Sequence, residues 1–178
     1  MKNQIRKDFL EKRKALDKSF VYNSKKSVYN VISKSFIIKH NIFMSYITHD
    51  NELDLEMFNK NTKNVYIPVI DENDRIIPSR LGQLVLGKYD IYIPKTDNFI
   101  NKNKIDIFLI PGIVYDFSGN RIGYGKAYYD TLLEGTHGIK IGCCYEWQIT
   151  DKIVSESHDI KMDYLLTEKR LIKCSTTI

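Results

Sequence analysis

The chain has 178 residues, of which 43% are hydrophobic and 28% are charged, and this size and composition predict one globular domain over residues 1–178. The sequence has no apolar run near the ~20 residues of a membrane span, and its basic start lacks the apolar segment of a signal peptide. We therefore expect a cytoplasmic protein without a membrane partner. The net charge of +5 is compatible with an anionic small substrate, a nucleic acid or a lysine-rich surface.

The apolar pattern predicts a first helix over residues 2–16. We place its apolar residues near one face and Arg6, Arg13 and the lysines elsewhere, and we interpret the basic run 6–14 as a solvated surface. Lys2 and Arg6 are four residues apart, so both cations project from one side of the first turns.

Helix and strand signals alternate through the rest of the chain. A second helix, capped by Asp17 or Ser19, is predicted to run to about residue 36. A third helix is predicted over residues 53–59, and strands are predicted at 42–47, 65–70, 105–110, 138–144 and 163–167, with weaker strands at 75–78 and 84–86 that could form a hairpin. This order predicts an α/β fold in three layers, with a mostly parallel sheet covered by helices on both faces.

Two acids follow the first predicted strand. Ligands of parallel α/β sheets bind at the carboxyl ends of the strands, which makes Glu52 and Asp54 candidates for ligand binding. Glu52 could equally cap or charge the first turn of the next helix. The sequence leaves both interpretations open.

The stretch from residue 111 to 130, PGIVYDFSGNRIGYGKAYYD, combines the end of a buried strand, a basic glycine loop and the start of a helix. Gly123 and Gly125 let the backbone approach a ligand closely, while Arg121 and Lys126 supply fixed positive charge. Free N–H groups at a helix start complete an attractive site for a phosphate chain. Asp130, one turn into the helix, could hold the metal ion that such a chain brings.

Two familiar phosphate loops are excluded by spacing. A Walker loop would need Gly at Asn120 and Ser or Thr at Ala127, and a dinucleotide fingerprint would need its third Gly at Tyr128. A plainer alternative is a strand–turn–helix connection whose glycines serve only sterics and whose cations are solvated.

Taken together, the segments resemble the 5-formyltetrahydrofolate cyclo-ligase family over nearly the whole chain. The specific signature consists of Ile110-Pro111-Gly112, Asp116, the run Gly119 to Lys126, and Tyr128-Tyr129-Asp130. The weaker matches are Lys2-x-x-x-Arg6, Glu52-Leu53-Asp54, and His158-Asp159 with Asp163.

The resemblance implies ATP-driven, Mg²⁺-dependent conversion of 5-formyltetrahydrofolate to 5,10-methenyltetrahydrofolate, with release of ADP and phosphate. It implies a small-molecule folate substrate and no nucleic acid, and we expect a monomer. The implied nucleotide-binding residues are Lys2, Arg6, Arg121, Ile122, Gly123, Tyr124, Gly125, Lys126, Ala127, Tyr128 and Tyr129. Glu52 and Tyr128 would contact the folate, and Asp130 and Asp159 would bind Mg²⁺.

The chemistry of a formamide explains these residue types. A formamide is a poor electrophile, so ring closure by the neighbouring N10 requires that its oxygen become a leaving group, which phosphorylation achieves. Charge then spreads over the phosphoryl oxygens, and we expect Arg121 and Lys126 to act as the catalytic cations that neutralise it.

One residue departs from the family pattern, because Ala127 stands where the family has glycine. If this position needs φ > 0, the methyl group costs about 1–2 kcal/mol, whereas inside the helix alanine is favourable. We expect the helical conformation. The departure also motivates one rival reading, a catalytically weak relative that binds its ligands without efficient turnover.

A second rival is a basic nucleic-acid-binding module, whose affinity would fall steeply with salt. The spread of the aromatic residues over strand and core positions speaks against it. The sequence leaves open whether Tyr89, Tyr92 or Trp147 lines the folate pocket.

Overall fold

The computed structural model describes residues 2–73, 75–87, 92–95, 98–156 and 159–175, so Tyr89 and His158 lie outside the described residues. The described helices are α1 (Lys2–Lys14), α2 (Lys18–Ser33), α3 (Glu56–Asn61) and α4 (Tyr128–Leu133), with 3-10 turns at Phe36–Lys39, Lys102–Lys104 and Glu146–Gln148. The described strands are β1 (Phe43–Met44), β2 (Val65–Ile70), β3 (Ile76–Arg80), β4 (Leu84–Leu86), β5 (Tyr92–Pro94), β6 (Ile107–Pro111), β7 (Val114–Asp116), β8 (Arg121–Ile122), β9 (Ile139–Cys143), β10 (Ile149–Thr150), β11 (Tyr164–Leu166) and β12 (Leu171–Lys173). Within these ranges no helix has both the length and the apolar character needed to cross a bilayer.

The central sheet contains seven strands in the order β12-β11-β9-β6-β1-β2-β3. The inner neighbours pair in parallel, while β3 and β12 run antiparallel at the two edges. The predicted α/β fold with a mostly parallel sheet is confirmed.

Alternate residues of the inner strands enter hydrophobic cores on opposite faces of this sheet. Phe43 and Ile107 pack in the core that contains α2 and α3. Their neighbours Met44 and Phe108 pack in the core that contains Leu132 of α4. Because successive side chains of a strand point to opposite faces, a continuous apolar run is what a strand covered on both sides requires.

A second sheet, of three strands in the order β10-β7-β8, lies beside the first. Its core residues Val114, Ile122 and Ile153 pack against apolar residues of α1 that include Ile5 and Phe9. Helix α1 is therefore fixed next to the loop that follows β8.

Some local pairings differ from the sequence expectations. The hairpin considered for residues 75–78 with 84–86 does not form, because β3 pairs with β2 and β4 pairs with β5. The hairpin β7–β8 and the edge strand β12 have no clear signal in the sequence, since strands of two or three residues are too short to show alternation.

Candidate active site

A cavity of about 640 Å³ opens at the carboxyl ends of β1, β2 and β6. The chain leaves β1 to form β2 on one side and later places β6 on the other side, so the connections diverge at β1. Ligands of open α/β sheets bind at such a point. Topology alone therefore favours this cavity as the binding site.

The cavity has an apolar wall and a charged wall. The apolar wall includes Ile47, Ile67, Ile76 and Ile93, and Tyr92 stands at its rim. The charged wall is built from the start of α1, residues 121–130 and the acids Glu156 and Asp159. This combination suits a ligand with a flat apolar part joined to an anionic part.

The buried carboxylate of Asp116 stabilises the turn that leads into the charged wall. It accepts hydrogen bonds from the backbone of Ser118 (3.0 Å) and Asn120 (2.9 Å) and from the Asn120 side chain (2.8 Å). Its second oxygen also accepts from the Ile153 N–H at 2.8 Å. One side chain thus holds both the turn before β8 and the start of the stretch that carries Glu156 and Asp159.

Arg121 begins the glycine loop, which we define as residues 121–126. Its side chain is 7% exposed and donates to Asp130 Oδ2 at 3.0 Å. Its guanidinium carbon lies 5.4 Å from the centre of the Tyr129 ring. Burial, an ion pair and an aromatic face together hold this cation in one orientation at the cavity wall.

The glycine loop is tied to α1 by Arg6, whose Nε donates to the Gly123 carbonyl at 2.8 Å. Gly125 has φ +92°, and a Cβ there would lie 3.4 Å from Arg6 Nη2. Glycine therefore serves both the backbone conformation and the approach of the cation. Lys126 is exposed, with Nζ 5.6 Å from the centre of the Tyr128 ring.

The helical conformation expected for Ala127 is wrong. Ala127 has φ +51° and ψ +14°, and it precedes α4 as its N-cap. The loop reverses direction here before the helix begins, and this reversal requires a left-handed residue. The alanine methyl group therefore carries the steric cost that a glycine would avoid.

The acids of the charged wall surround Lys2. Its Nζ lies 2.8 Å from Glu156 Oε1 and 3.4 Å from Asp159 Oδ2. Hydrogen bonding to Glu156 raises the pKa of Lys2, so the ammonium form is favoured. Asp130 accepts from the N–H of Ile160, the neighbour of Asp159, at 3.3 Å, and both aspartates line the cavity.

No group of three or more His, Cys, Asp or Glu side chains within the described ranges forms a protein-only metal cage. Mg²⁺ does not need one, because it usually binds through one or two carboxylates together with phosphate oxygens and water. The donor types of Asp130 and Asp159 fit a magnesium ion brought by a phosphate chain.

Glu52 lies between the two walls and is 5% exposed. Its Oε2 accepts from the His49 N–H at 3.1 Å, and its Oε1 accepts from the Tyr124 hydroxyl at 3.4 Å. Burial raises its pKa to about 7, against the lowering effect of the Arg13 charge. A carboxyl group with such a pKa can exchange a proton near neutral pH.

The structure separates Glu52 from Asp54, although both follow β1 and both were candidates for ligand binding. Asp54 pairs with Lys25 at 2.7 Å and accepts from the Glu56 N–H at 2.8 Å, at the start of α3. Asp54 therefore accepts a backbone hydrogen bond at the first turn of α3, while Glu52 faces the cavity.

Arg13, which lies beside the site, is one of the residues that the sequence analysis missed, because we placed it in a solvated basic run, and Glu156 of the charged wall is another. Arg13 is 1% exposed and donates to the carbonyls of Asp50 (2.8 Å) and Gly112 (3.3 Å) and to the Tyr124 hydroxyl. At 3.6 residues per turn, Lys2, Arg6 and Arg13 fall within an arc of about 40°. That phase, shared with Phe9, is the signal that could have placed Arg13 on the inward face.

The predicted site residues come together in one place. All residues that the resemblance implies for the site line the same cavity: Lys2, Arg6, Glu52, Arg121 to Asp130 without a gap, and Asp159. Ile122 also packs its side chain into the small core beneath. Tyr92 lines the cavity, whereas Trp147 stacks on Phe9 and Tyr145 away from it.

A mostly parallel α/β sheet with a cationic glycine loop at its switch point is typical of enzymes that act on small molecules with the help of phosphate chemistry. The sequence model of the 5-formyltetrahydrofolate cyclo-ligase family matches residues 1–168, and the chain belongs to this family.

Individual relatives agree with this assignment. The chain is similar to the NMR structure of the Aquifex aeolicus 5,10-methenyltetrahydrofolate synthetase, with a TM-score of 0.86 and 28% identity over 99% of this chain and 94% of that one. It is 25% identical to the 5-formyltetrahydrofolate cyclo-ligase of Escherichia coli K12 over 71% of this chain and 77% of the relative. A shorter match to the enzyme of Mycoplasma genitalium, 35% identical, spans 42% of this chain and 46% of the relative.

Proposed function

We infer that this protein converts 5-formyltetrahydrofolate to 5,10-methenyltetrahydrofolate, using ATP and releasing ADP and phosphate. The observation that carries this inference is that the cations of α1 and of the glycine loop share one cavity with an apolar wall and a buried acid. This arrangement offers a place for a phosphate chain beside a place for a pterin ring.

The nucleotide end is served by Lys2, Arg6, the glycine loop and Tyr129. Lys126 is exposed at the cavity wall and can meet the phosphoryl group, while Arg121 is already oriented by its ion pair. Both cations stabilise charge that spreads over the phosphoryl oxygens during transfer to the formyl oxygen.

Asp130 and Asp159 are the residues that would hold Mg²⁺. When bound, the ion would neutralise phosphate charge and orient the phosphate chain. Asp130 would share its charge between Arg121 and the metal. This dual role would explain why Asp130, as a metal ligand, lies next to the Arg121 cation.

At the folate end, we place Tyr128 and Glu52, which line the same cavity as the apolar wall. After phosphorylation, N10 attacks the formyl carbon, a C–N bond forms, and the C–O bond to the departing phosphate breaks. N10 must also lose its proton, and we assign that proton to the Glu52 carboxylate. The pKa of about 7 suits this exchange.

Formation of the methenyl chromophore from 5-formyltetrahydrofolate tests the proposal. We expect absorbance to grow only when ATP and Mg²⁺ are both present. Binding of both ligands without product would identify a catalytically weak relative instead. Tight, salt-dependent binding of RNA without product would favour the nucleic-acid alternative.

The metal ligands are tested by the substitutions Asp130→Asn and Asp159→Asn. We expect each variant to need several-fold more Mg²⁺ for half-maximal rate, with weaker binding of Mn²⁺ to the ATP-loaded protein as an independent readout. The exposed Asp151→Asn is the matched control. An unchanged metal requirement in both site variants would remove these residues from the metal site.

We also propose that the protein acts as a monomer in the cytoplasm. A reducing compartment suits its three cysteines, which are free thiols in the structure.

A further inference from the structure

Arg13 connects three separate loops at the edge of the cavity. Its guanidinium donates to the carbonyl of Asp50 after β1, to that of Gly112 after β6, and to the hydroxyl of Tyr124 in the glycine loop. A buried arginine is costly unless its donors find partners, and these contacts give each of its three nitrogens a partner. Its charge is thus kept at a place where the fold alone would not require a cation.

The chemistry of the donors fixes the direction of the hydrogen-bond chain. A guanidinium can only donate, so the Tyr124 oxygen accepts from Arg13. The hydroxyl proton is then available for Glu52 Oε1, which lies 3.4 Å away. Arg13 therefore acts on Glu52 directly, by its charge, and also through Tyr124, as a cation that polarises the donor.

Tyr124 also belongs to the loop that we assign to phosphate binding. Its neighbour Gly123 is held by Arg6, and Lys126 follows two residues later. The tyrosine is about half exposed, with its ring along the cavity and its centre 5.8 Å from the Arg13 guanidinium carbon. Movement of the glycine loop would thus change the contact made to Glu52.

We propose that Arg13 and Tyr124 are positioning residues that hold the Glu52 carboxylate toward the folate and couple it to the nucleotide loop. This proposal rests on the proposed function, because it gives Glu52 a task in ring closure. Neither residue touches the reacting atoms, and their effect passes through Glu52.

Groups other than Tyr124 also act on the ionisation of Glu52 or respond to its charge. The groups that act on its ionisation are Arg13 on α1, Asp50 and the His49 N–H on the loop after β1, and Tyr124 on the glycine loop. The buried groups that respond to its charge are Tyr46 after β1, Tyr129 on α4, Cys143 on β9 and Tyr145 after it. The His49 ring also lines the cavity, 3.6 Å from Asp50.

The first test compares Tyr124→Phe and Arg13→Met with the control Lys14→Met, an exposed cation on the same helix. Since a hydrogen bond to a charged group is lost, we expect kcat at neutral pH to fall about tenfold in Tyr124→Phe, and the acidic limb of its pH profile to move upward. The control should match the wild-type protein.

A second readout does not depend on activity. Carbon NMR of the glutamate carboxyl groups, with the Glu52 signal assigned from Glu52→Gln, gives the titration midpoint of Glu52 in the ligand-free protein. We expect a higher midpoint in both variants than in the wild-type protein. Tyr124→Phe keeps this test decisive if Arg13→Met fails to fold.

The double variant tests whether the two residues act in series. If they do, the changes in its kcat and Glu52 midpoint should be smaller than the sum of those in the two single variants, because the part of the Arg13 effect that passes through Tyr124 is already lost in Tyr124→Phe. Additive effects, or an unchanged midpoint in Tyr124→Phe, would overturn the proposal. A wild-type protein without cyclisation activity would refute the proposed function, and the Glu52 midpoint would still decide whether Arg13 and Tyr124 act on that carboxyl group.

Discussion

Glu52 shows how one buried side chain links stability to chemistry. Its folded-state pKa of about 7 lies above its ordinary value of 4.5, so the folded protein binds the proton more tightly than the unfolded chain. The contribution of Glu52 to stability is therefore most favourable below pH 4.5 and is lost as the pH rises to about 7. Above that pH the protein carries a buried charge that opposes folding.

The substitution Glu52→Gln should therefore stabilise the folded protein while lowering its cyclisation rate. We expect a gain of about 1–3 kcal/mol in the free energy of unfolding at pH 8, little gain at pH 5, and a large loss of cyclisation rate. Urea unfolding at the two pH values measures the gain, with the exposed Glu134→Gln as control. Equal stability of variant and wild type at pH 8 would show that burial of the Glu52 carboxylate does not destabilise the folded protein.

Lys126 offers the opposite case, since it is exposed and contributes little to the core. We expect Lys126→Ala to lower kcat by about 10²–10³-fold and to change the free energy of unfolding by less than about 0.5 kcal/mol. Steady-state rates and thermal unfolding provide the comparison, with the exposed Lys39→Ala as control. Parallel losses of rate and stability would exclude a role in phosphate chemistry.

Residue types and spacing predicted the glycine loop with Arg121, Lys126 and Asp130, because phosphate and metal binding demand particular side chains in a short stretch, whereas the family resemblance supplied Asp159 and the folate contacts. Arg13 escaped prediction for a physical reason. Its partners are backbone carbonyls of residues 50 and 112, which no local pattern can reveal. A cation in a basic run is usually solvated, and here tertiary structure overrides that expectation.

At the level of elements, the junction between the glycine loop and α4 depends on the left-handed conformation of Ala127. The sequence correctly predicts a helix after the loop but places its start one residue too early, at Ala127. The error follows from the high helix propensity of alanine, which the reversal of the chain overrides. The hairpin β7–β8 was missed because its pairing depends on Asp116 and on contacts with α1.

Ala127→Gly should consequently stabilise the protein. Removing the methyl group relieves the left-handed strain, and the larger entropy of the unfolded chain offsets part of the gain, so we expect a net gain of about 0.5–1 kcal/mol. Ala15→Gly, at the end of α1 and without positive φ, should lower stability instead. Denaturant unfolding of both variants distinguishes strain relief from a general effect of glycine, and a loss of stability in Ala127→Gly would contradict it.

Across the whole molecule, the turn at residues 116–120 holds distant parts of the site in register. Asp116 holds the backbone of Ile153, and the Gly119 carbonyl accepts from the Met162 N–H at 2.9 Å. The stretch that carries Asp159 is thereby anchored on both sides to the turn that leads into the glycine loop. The sequence predicts the loop and Asp159 separately, whereas their alignment is a property of the folded chain.

Gly119→Ala should disturb this alignment. Gly119 has φ +82°, and a Cβ there would lie 2.3 Å from the Met162 carbonyl oxygen, so backbone must shift. We expect a loss of about 2–4 kcal/mol in stability together with a raised Mg²⁺ requirement. Gly82→Ala, where the space is open, is the matched control. A variant with unchanged metal requirement would show that the anchor does not govern the position of Asp159.

Helix α1 carries Lys2, Arg6 and Arg13 on one narrow stripe, which places the first two at the cavity wall and the third against the carbonyls of residues 50 and 112. One residue inserted between Arg6 and Arg13 would rotate Arg13 about the helix axis by about 100° relative to Lys2 and Arg6. Such an insertion would leave the helix intact and its composition almost unchanged, yet it would point Arg13 or the earlier cations into water. In this protein the length of the first helix between its cations is thus as strictly determined as their identity.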